Sequence, residues 1–346
     1  LGEANVNVLI NGERLNLKSE TISDRLQKVP ADKVERIEIL DGGSLKIPGL
    51  SGQVANVVTK IGGISGQYEW DSRFRPGYVS PAWFGGNISI NGSTKTLDYT
   101  LALNNDIGTG AIKGPTIVTD ASGTVTEVRK IHLANHFHAP KISGSVKWDG
   151  PGSSVAHFNA EYQQTYSDNH DSEDRTDPGG VDRHYDYTPH DRDHNYEIGG
   201  DFEFKLGPGR LKLFGLDRDD HERYREDVVF TYADGSPDTG GRYSSVNLSK
   251  EKVARAEYNW KMFGGDWQLS GEAAFNSYDG AAHLFNLNAA GGLDEIPFPG
   301  GTGGVTEDRF ESILTHSRQL APNLSLQFGG GFEYSKLQQT GSIGLT

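Results

Sequence analysis

The sequence predicts a small α/β unit followed by an antiparallel transmembrane β-barrel, and three observations carry this prediction. From Ile64 onward, segments of about ten residues alternate apolar with polar side chains, as strands with two different faces do. Short turns between these segments lie near positions 93, 151, 208, 265 and 322, and a long polar stretch separates each hairpin from the next. No run of about eighteen apolar residues is present in the sequence, which excludes a spanning helix.

The composition agrees with a barrel wall and excludes other classes of protein. Only 35% of the 346 residues are hydrophobic, which suits a barrel in which every second residue faces lipid. The sequence has no cysteine, so a disulfide scaffold is excluded. The formal net charge of −14 argues against nucleic acid as a partner.

The first predicted element is a short hairpin. Val6 to Ile10 is an apolar run typical of a strand, and Glu13 to Leu17 is a second strand-like run. Asn11-Gly12 lies between the two runs, and both residues tolerate a positive φ. We therefore predict two strands that are joined by a tight turn.

A short helix is predicted after this hairpin. Thr21 or Ser23 is placed to cap it, and the helix runs to about Lys28. Pro30 ends the helix because proline cannot continue the hydrogen-bonding pattern.

Two strands complete the α/β unit. Ala31 to Arg36 predicts a second helical turn, and Ile37 to Leu40 predicts a strand. After a glycine-rich loop, the β-branched residues of Val54 to Thr59 indicate a buried strand.

In order and spacing, three segments of this unit resemble the plug domain of TonB-dependent outer-membrane receptors. The matching segments are Val8 to Gly12, Val29 to Leu40 and Gly52 to Lys60. The family pattern continues its second segment with Arg-Gly-Pro, whereas this sequence has Asp41-Gly42-Gly43. The difference removes a basic residue that members of the family often use to tie the plug to the barrel wall.

The resemblance implies an architecture, a location and partners. Receptors of this family close with twenty-two strands around a plugged lumen, so residues 1–62 correspond to the C-terminal part of the plug and residues 63–346 to the first half of the barrel. The location is the cell outer membrane, where outer-membrane lipid and lipopolysaccharide surround the wall. A TonB-type energy-coupling protein would bind a segment before Leu1, and a small molecule or metal chelate would be the ligand. Because half a barrel leaves two unpaired edges in lipid, we expect the natural chain to continue past Thr346.

The predicted wall contains about eleven strands between Ile64 and Ser335. Trp148, Trp260 and Trp267 lie beside short turns, where an interfacial aromatic girdle is expected. If the apolar residues face lipid, the alternate residues line the lumen. These are Asn87, Asp98, Asn104, Asn159, Glu161, Glu197, Asp201, Glu203, Arg255, Glu257, Lys261, Glu272 and Asn276.

Glu35, Arg36 and Glu38 of the plug are the natural partners for charged residues of the wall. In the resembled family, ion pairs between plug and wall hold the plug in place, and Arg36 is our candidate for such a pair. The alternative is a local surface cluster of these three residues without a gating role.

The long polar stretches are predicted as extracellular loops, and one of them carries the candidate ligand-binding residues His170, His184, His190 and His194. On a helix, the spacing of His190 and His194 would place both side chains on one face for a metal. The polar composition instead favours a solvated loop. The glycine-rich stretches 108–130 and 280–304 predict mobile loops that fold over a ligand.

The leading hypothesis is an energy-coupled importer of a scarce nutrient such as a ferric siderophore, bound by the extracellular loops and the plug apex. A non-transporting outer-membrane barrel with a structural or surface-assembly role is the second hypothesis, and a soluble β-rich binding protein is the third. The sequence has no nucleophile elbow, phosphate loop, paired-cysteine motif or zinc-protease helix. We therefore expect neither an enzyme nor a resident metal or cofactor.

Overall fold

The computed structural model describes residues 8–12, 26, 28–41, 45, 52–60, 62–321 and 324–341. These residues form a three-stranded sheet and a twelve-stranded sheet. The small sheet consists of β1 (Val8–Ile10), β2 (Val34–Asp41) and β3 (Gln53–Thr59). The large sheet consists of β4 (Gly63–Arg75), β5 (Val79–Ser93), β6 (Leu97–Thr119), β7 (Val125–Asp149), β8 (Val155–Thr176), β9 (Arg183–Leu206), β10 (Gly209–Tyr232), β11 (Thr239–Met262), β12 (Gly265–Leu287), β13 (Leu293–Ile296), β14 (Thr302–Ala321) and β15 (Leu324–Gly341). Among the described residues, no helix has the length and apolar character that crossing a membrane requires.

β3 is the central strand of the small sheet. β1 pairs with it in parallel, and β2 pairs with it antiparallel. Leu9 of β1 and Val54 of β3 are fully buried against each other, and Leu45 packs on them. The buried strand that the sequence predicts at 54–59 is thus confirmed.

Asn56 of β3 ties the small sheet to its neighbouring turn. Its Oδ1 accepts a hydrogen bond from the backbone N–H of Gly12 at 2.7 Å, and its Nδ2 donates one to Glu38 at 2.9 Å. The turn itself agrees with the prediction, because Asn11 and Gly12 have φ values of 53° and 82°. The predicted second strand of this hairpin, at 13–17, lies outside the described residues.

The second helical turn is shorter than predicted. A 3-10 helix covers only Ala31–Lys33, and β2 already begins at Val34 instead of Ile37. Val34 pairs with Thr59, and the N–H of Lys60 donates to the carbonyl of Lys33 at 2.9 Å. The backbone N–H and C=O groups that a longer helix would use are therefore hydrogen-bonded to β3 and to Lys60 instead. The helix predicted from Thr21 or Ser23 to Lys28 falls largely outside the described residues.

The large sheet is a meander in which each long strand pairs antiparallel with the next. The short β13 pairs only with β12, and β4 and β15 are the two edges of the described sheet. Apart from β13, the strands number eleven, as the sequence predicts. Four of the predicted short turns are found at 94–96, 150–154, 207–208 and 263–264, and β14 pairs with β15 across the fifth.

The strands are about twice as long as predicted, because β6 to β12 each contain 22 to 25 residues. Most of the predicted loops are therefore strand. The loop predicted at 168–194 is reduced to residues 177–182 between β8 and β9, and that at 108–130 to residues 120–124. The apolar alternation ends part-way along each strand, whereas the backbone ladder continues with polar side chains on both faces.

The large sheet has one apolar face and one polar face. On the apolar face, every second large side chain is 39–53% exposed, namely Ile88, Ile90, Leu101, Leu103, Ile142, Val146, Phe158, Ile198, Phe202, Leu213 and Leu269. On the polar face, Asn159, Glu161, Glu197 and Asp201 are buried. The alternation that the sequence predicts is thus present, with the charged set on the opposite side from the apolar set.

The small sheet lies against the polar face. Nζ of Lys28 donates to the hydroxyl of Ser143 at 3.0 Å, and Nδ2 of Asn91 donates to the carbonyl of Lys28 at 2.8 Å. A cavity of about 610 Å³ separates the two sheets elsewhere. Both hydrogen bonds join the segment that precedes β2 to strands β5 and β7.

We predict that Leu9→Ala lowers the free energy of unfolding of the small sheet by about 2–5 kcal/mol, because it removes one of two fully buried apolar side chains that contact each other. The readout is the protection of β3 amides in native-state hydrogen exchange. Ile39→Ala is the matched control, since the side chain of Ile39 is 64% exposed. This variant is expected to change the opening free energy measured by exchange by less than about 1 kcal/mol. Equal protection in both variants would contradict the packing described above.

Candidate ligand-binding site

The four predicted histidines lie on strands. His170 belongs to β8, and His184, His190 and His194 belong to β9. His184, His190 and His194 lie an even number of residues from Ile198 on β9, so their side chains are on the same side of the sheet as Ile198. β8 pairs with β9 without a register shift, which places His170 on that side as well. All four histidines therefore lie on the apolar face or its continuation. We call this the outward face and the opposite one the inward face. The histidines therefore do not line the inward face.

Three of these histidines are paired with carboxylates across the strands. His190 is 2.7 Å from Asp168, His170 is 2.6 Å from Asp186, and Nδ1 of His184 is 2.8 Å from Asp174. The helical spacing considered for His190 and His194 does not apply on an extended strand. Within the described ranges, no group of three or more His, Cys, Asp or Glu side chains is placed to hold a metal ion.

The inward face of the same region carries tyrosines instead. Tyr187 of β9 and Tyr224 of β10 both donate hydrogen bonds to one carboxylate oxygen of Glu226, at 2.7 Å and 2.6 Å. Tyr185 stacks beside Tyr187, and Tyr243 of β11 lies beside Tyr224 with ring centroids 6.1 Å apart. We call Tyr185, Tyr187, Tyr224 and Tyr243 the tyrosine cluster.

One end of the tyrosine cluster has a cationic side chain. The guanidinium of Arg175 lies 4.2 Å from the ring centroid of Tyr185 and 5.2 Å from that of Phe230. Glu173 accepts a hydrogen bond from Nε of Arg175 at 2.6 Å, which fixes the guanidinium plane. Aromatic faces and a fixed cation are thus combined in one region of the inward face.

The phenols of Tyr187 and Tyr224 are held in the neutral form. Burial, followed by the hydrogen bond and charge of Glu226, raises the pKa of Tyr224 well above its ordinary range. Burial also raises the pKa of Tyr187. Since the phenol protons are directed at Glu226, the rings and the phenol lone pairs are the groups left for a ligand.

The inward face below the cluster is acidic. Asp191 and Asp193 of β9 point to it, and burial raises the pKa of both carboxyl groups. The N–H of Arg223 donates to Asp193 at 2.9 Å. Arg129 and Arg183 lie on either side of Arg175 on the same face, so the region has three arginines as well as several carboxylates. Tyrosine rings with charges of both signs suit an aromatic ligand that carries no strong net charge.

The sequence reasoning missed the tyrosine cluster because it treated the stretch as loop. The signal was present, since Tyr185 and Tyr187 alternate with His184 and Asp186 in a period of two. That alternation is typical of a strand even where neither face is apolar.

Glu35, Arg36 and Glu38 all lie on β2 and line the cavity between the two sheets. In the part of the chain that the structure describes, the ion pairs of Arg36 are with Glu38 at 2.8 Å and with Glu35 at 3.0 Å. Hydrogen bonds from Asn56 and then Arg36 lower the pKa of Glu38, and Glu38 in turn raises that of Arg36. The pairing of Arg36 with the larger sheet stays a prediction, and the described contacts between the sheets come from Lys28.

Comparison with known proteins gives a distant likeness of fold. No protein-family model matches the chain, and no curated protein matches it. The ferric yersiniabactin uptake receptor FyuA from Yersinia pestis aligns over 97% of this chain and 60% of its own, at 10% identity and a TM-score of 0.27. The siderophore receptor PirA from Pseudomonas aeruginosa aligns over 98% of this chain and 92% of its own, at 11% identity and a TM-score of 0.21. The chain spans less than two thirds of the length of FyuA, and neither likeness is close enough to carry an argument about function.

We predict that Glu226→Gln lowers the pKa of Tyr187 and Tyr224, because it removes the charge that opposes a phenolate. A raised phenol pKa adds stability that is fully present below about pH 10 and is lost as the pH rises through the raised value. Difference absorbance at 295 nm during an alkaline titration measures the tyrosinate that forms. Glu295→Gln is the control, since Glu295 pairs with His283. An unchanged titration in Glu226→Gln would contradict the shared hydrogen bond.

Proposed function

We propose that the chain is part of the wall and plug of an outer-membrane β-barrel receptor that imports a small ligand by energy coupling. The observation that carries the proposal is the division of the large sheet into an exposed apolar face and a polar, charged face. A sheet of this kind suits a wall between lipid and a hydrated lumen. Short turns at one end of the strands and longer connections at the other match the two sides of such a wall.

The short-turn end supports this placement. Trp260 of β11 lies opposite Trp267 of β12, and their rings stack with centroids 6.2 Å apart. Tyr258 stacks on Trp260 at 5.4 Å, and Phe328 of β15 meets Trp267 edge-on at 6.5 Å. Such a band of amphipathic rings is favoured at the boundary between hydrocarbon and water.

The small sheet is proposed as the plug. It lies on the polar face, where Lys28 bonds to Ser143 and Asn91, and a plug in a hydrated lumen needs such polar contacts. Arg255, Arg309 and Glu272 form an ion-paired ladder on that face, with Arg309 3.0 Å from Glu272. Charged groups of this kind suit a water-filled, plugged interior.

The tyrosine cluster is proposed as a wall of the ligand site. It lies on the inward face, more than ten residues along each strand from the short turns. An aromatic metal chelate such as a ferric siderophore is the proposed cargo, because stacking on tyrosine rings and contact with Arg175 suit a flat aromatic group. A TonB-type protein would supply the energy for release into the periplasm.

Membrane placement is tested by two adjacent residues on opposite faces of β12. Leu269→Arg places a charge on the apolar face two residues inside the ring of Trp267, where it is expected to cost about 1–3 kcal/mol of unfolding free energy in vesicles, between the values for the interface and the bilayer midplane. Gln268→Arg changes the inward face, where Glu257 is the neighbour, and is expected to cost less than about 1 kcal/mol. Equal costs, or recovery of the wild type in the aqueous phase without detergent, would favour a soluble β-rich binding protein.

Transport is tested by uptake of a panel of ferric siderophores in a deletion strain under iron limitation. We expect Tyr224→Ala with Tyr243→Ala to weaken ligand binding by about tenfold or more, since two ring contacts are lost. His170→Ala with His184→Ala is the matched control on the outward face and is expected to leave uptake unchanged. If deletion alters uptake of no cargo in an extended panel of siderophores, sugars, peptides and cobalamin, the non-transporting barrel replaces the importer.

A further inference from the structure

The outer half of the β4–β5 hairpin lies outside the large sheet. β5 pairs with β6 from Ser93 to Gly86 only, although β6 continues to Thr119. Residues 106–119 of β6 pair with β7 on one side, and on the other side they have no strand partner in the part of the chain that the structure describes. We call residues 106–119 the open edge and residues 71–85 of the hairpin the hairpin arm.

Two side chains of the neighbouring strands hold the tip of the hairpin arm on the outward face. Nζ of Lys113 donates to the carbonyl of Gly77 at 2.5 Å. Nε2 of His132 lies 3.2 Å from the carbonyl oxygen of Tyr78. Lys113 lies an even number of residues from Leu103 on β6 and is directly opposite His132 on β7, so both side chains point outward. The hairpin arm therefore crosses β6 on the outward side of the sheet.

Side chains also bind the backbone at the base of the hairpin arm. Nε1 of Trp70 donates to the carbonyl of Trp83 at 2.7 Å, and Nδ2 of Asn105 donates to the carbonyl of Phe84. Backbone carbonyls of a strand are normally satisfied by a neighbouring strand. The side chains of Lys113, Trp70 and Asn105 thus take the place of a strand partner along the hairpin arm.

Two glycines at the base of the hairpin arm allow this departure from the sheet. Gly86 has a φ of 119°, and a Cβ there would overlap the backbone oxygen of Glu69. A Cβ at Gly85 would overlap the side chain of Ile107, which is 6% exposed. The described position therefore requires glycine at both positions, as a strand does where it bends or where another group approaches closely.

The hairpin arm also matches the open edge in the register that β5 and β6 already use. If the pairing of Gly86 with Asn105 continued, three apolar or aromatic residues of the arm would meet β6 residues on the same face. The pairs are Phe84 with Ile107, Trp83 with Gly108, and Val79 with Ile112. Apolar pairs, and a ring beside a glycine, stabilise neighbouring strands. Phe84 and Ile112 are 82% and 60% exposed in the described position, so this pairing would give both of them new apolar neighbours.

We propose that the hairpin arm is a lateral gate in the wall. It moves about Gly85 and Gly86 between the described open position and a closed position, in which residues 79–85 extend the ladder along residues 106–112 of the open edge. The open position would let a ligand reach the inward face through the side of the wall, and this consequence rests on the proposed function. The movement itself rests on the hinge, the side-chain contacts and the register.

Disulfide trapping in the purified full-length protein tests the closed position, and the chain has no cysteine of its own. Val79→Cys with Ile112→Cys would place two thiols directly opposite each other, with Cα atoms about 4.5–5.5 Å apart, which a disulfide can bridge. In the open position β6 itself separates them, because the hairpin arm lies on the outward side and residue 112 faces inward. We therefore expect mild oxidation to trap the closed position.

Val79→Cys with Leu133→Cys is the matched control for trapping. Leu133 is directly opposite Ile112 on β7 and faces inward at the same height, but it lies one strand further from the hairpin arm. In the closed position its Cα would be roughly 10 Å from that of residue 79, beyond the reach of a disulfide. Equal yields from the two pairs, including no disulfide in either, would overturn the proposed movement.

Gly86→Ala is expected to shift the equilibrium toward the closed position. The added Cβ is strained at a φ of 119° but not at the negative φ of a regular strand. In the Val79→Cys, Ile112→Cys background it should speed disulfide formation by about tenfold or more. Gly144→Ala is the control, since the nearest atom to its Cβ would be 3.7 Å away, and it should leave the rate unchanged. A rate no faster than that of the control would contradict the glycine hinge.

Uptake in the deletion strain separates the gate from the proposed function. The oxidised Val79→Cys, Ile112→Cys variant is expected to lose most of its ferric siderophore uptake and to regain it when the disulfide is reduced. If the wild type imports no cargo, the proposed function fails and the trapping result still decides the movement. If the disulfide forms and uptake is unaffected, the role of the gate in ligand access is overturned.

Discussion

The unshifted antiparallel register of the large sheet is the constraint on which the other features depend. From β7 to β14, consecutive long strands pair without a register shift, so the parity of a residue decides its face from the short turn to the far end of the strand. Ile198 and His194 therefore share one face, and Glu197 and Tyr187 share the other. A single bulge in β9 between Glu197 and His190 would move Tyr187 to the face of Ile198 and His190 to the face of Glu197.

This constraint explains which features were predictable from the sequence. Near the short turns, one face is apolar and the other polar, so the alternation at Leu101 and Leu103 or at Phe202 indicates strands and their faces. The turns are marked by residues that tolerate positive φ, such as Gly207 and Gly264. Strand number, turn positions and the two faces all follow from these local patterns, and the structure bears them out.

The far halves of the strands were not predictable in the same way. Beyond about ten residues both faces are polar, so the hydrophobic signal ends while the backbone hydrogen bonds continue. The stretch around His184 and His190 consequently resembles a loop by composition, although it pairs residue by residue with its neighbours. The partners of Arg36 could not be predicted from the sequence either, because a Glu-Arg-Ile-Glu segment allows local ion pairs as readily as distant ones.

The register also places acidic and basic residues of one strand on different faces, whereas the net charge counts them together. A net charge of −14 suggests a surface that repels anions. In β9, however, Asp191 and Asp193 lie on the inward face, while Arg192 and His194 alternate with them on the outward face. Because alternation in a strand assigns neighbouring residues to opposite surfaces, this segment of β9 has acids on its inward face and bases on its outward face. The net charge of the whole chain therefore does not predict the charge of each surface, which must be judged from its own residues.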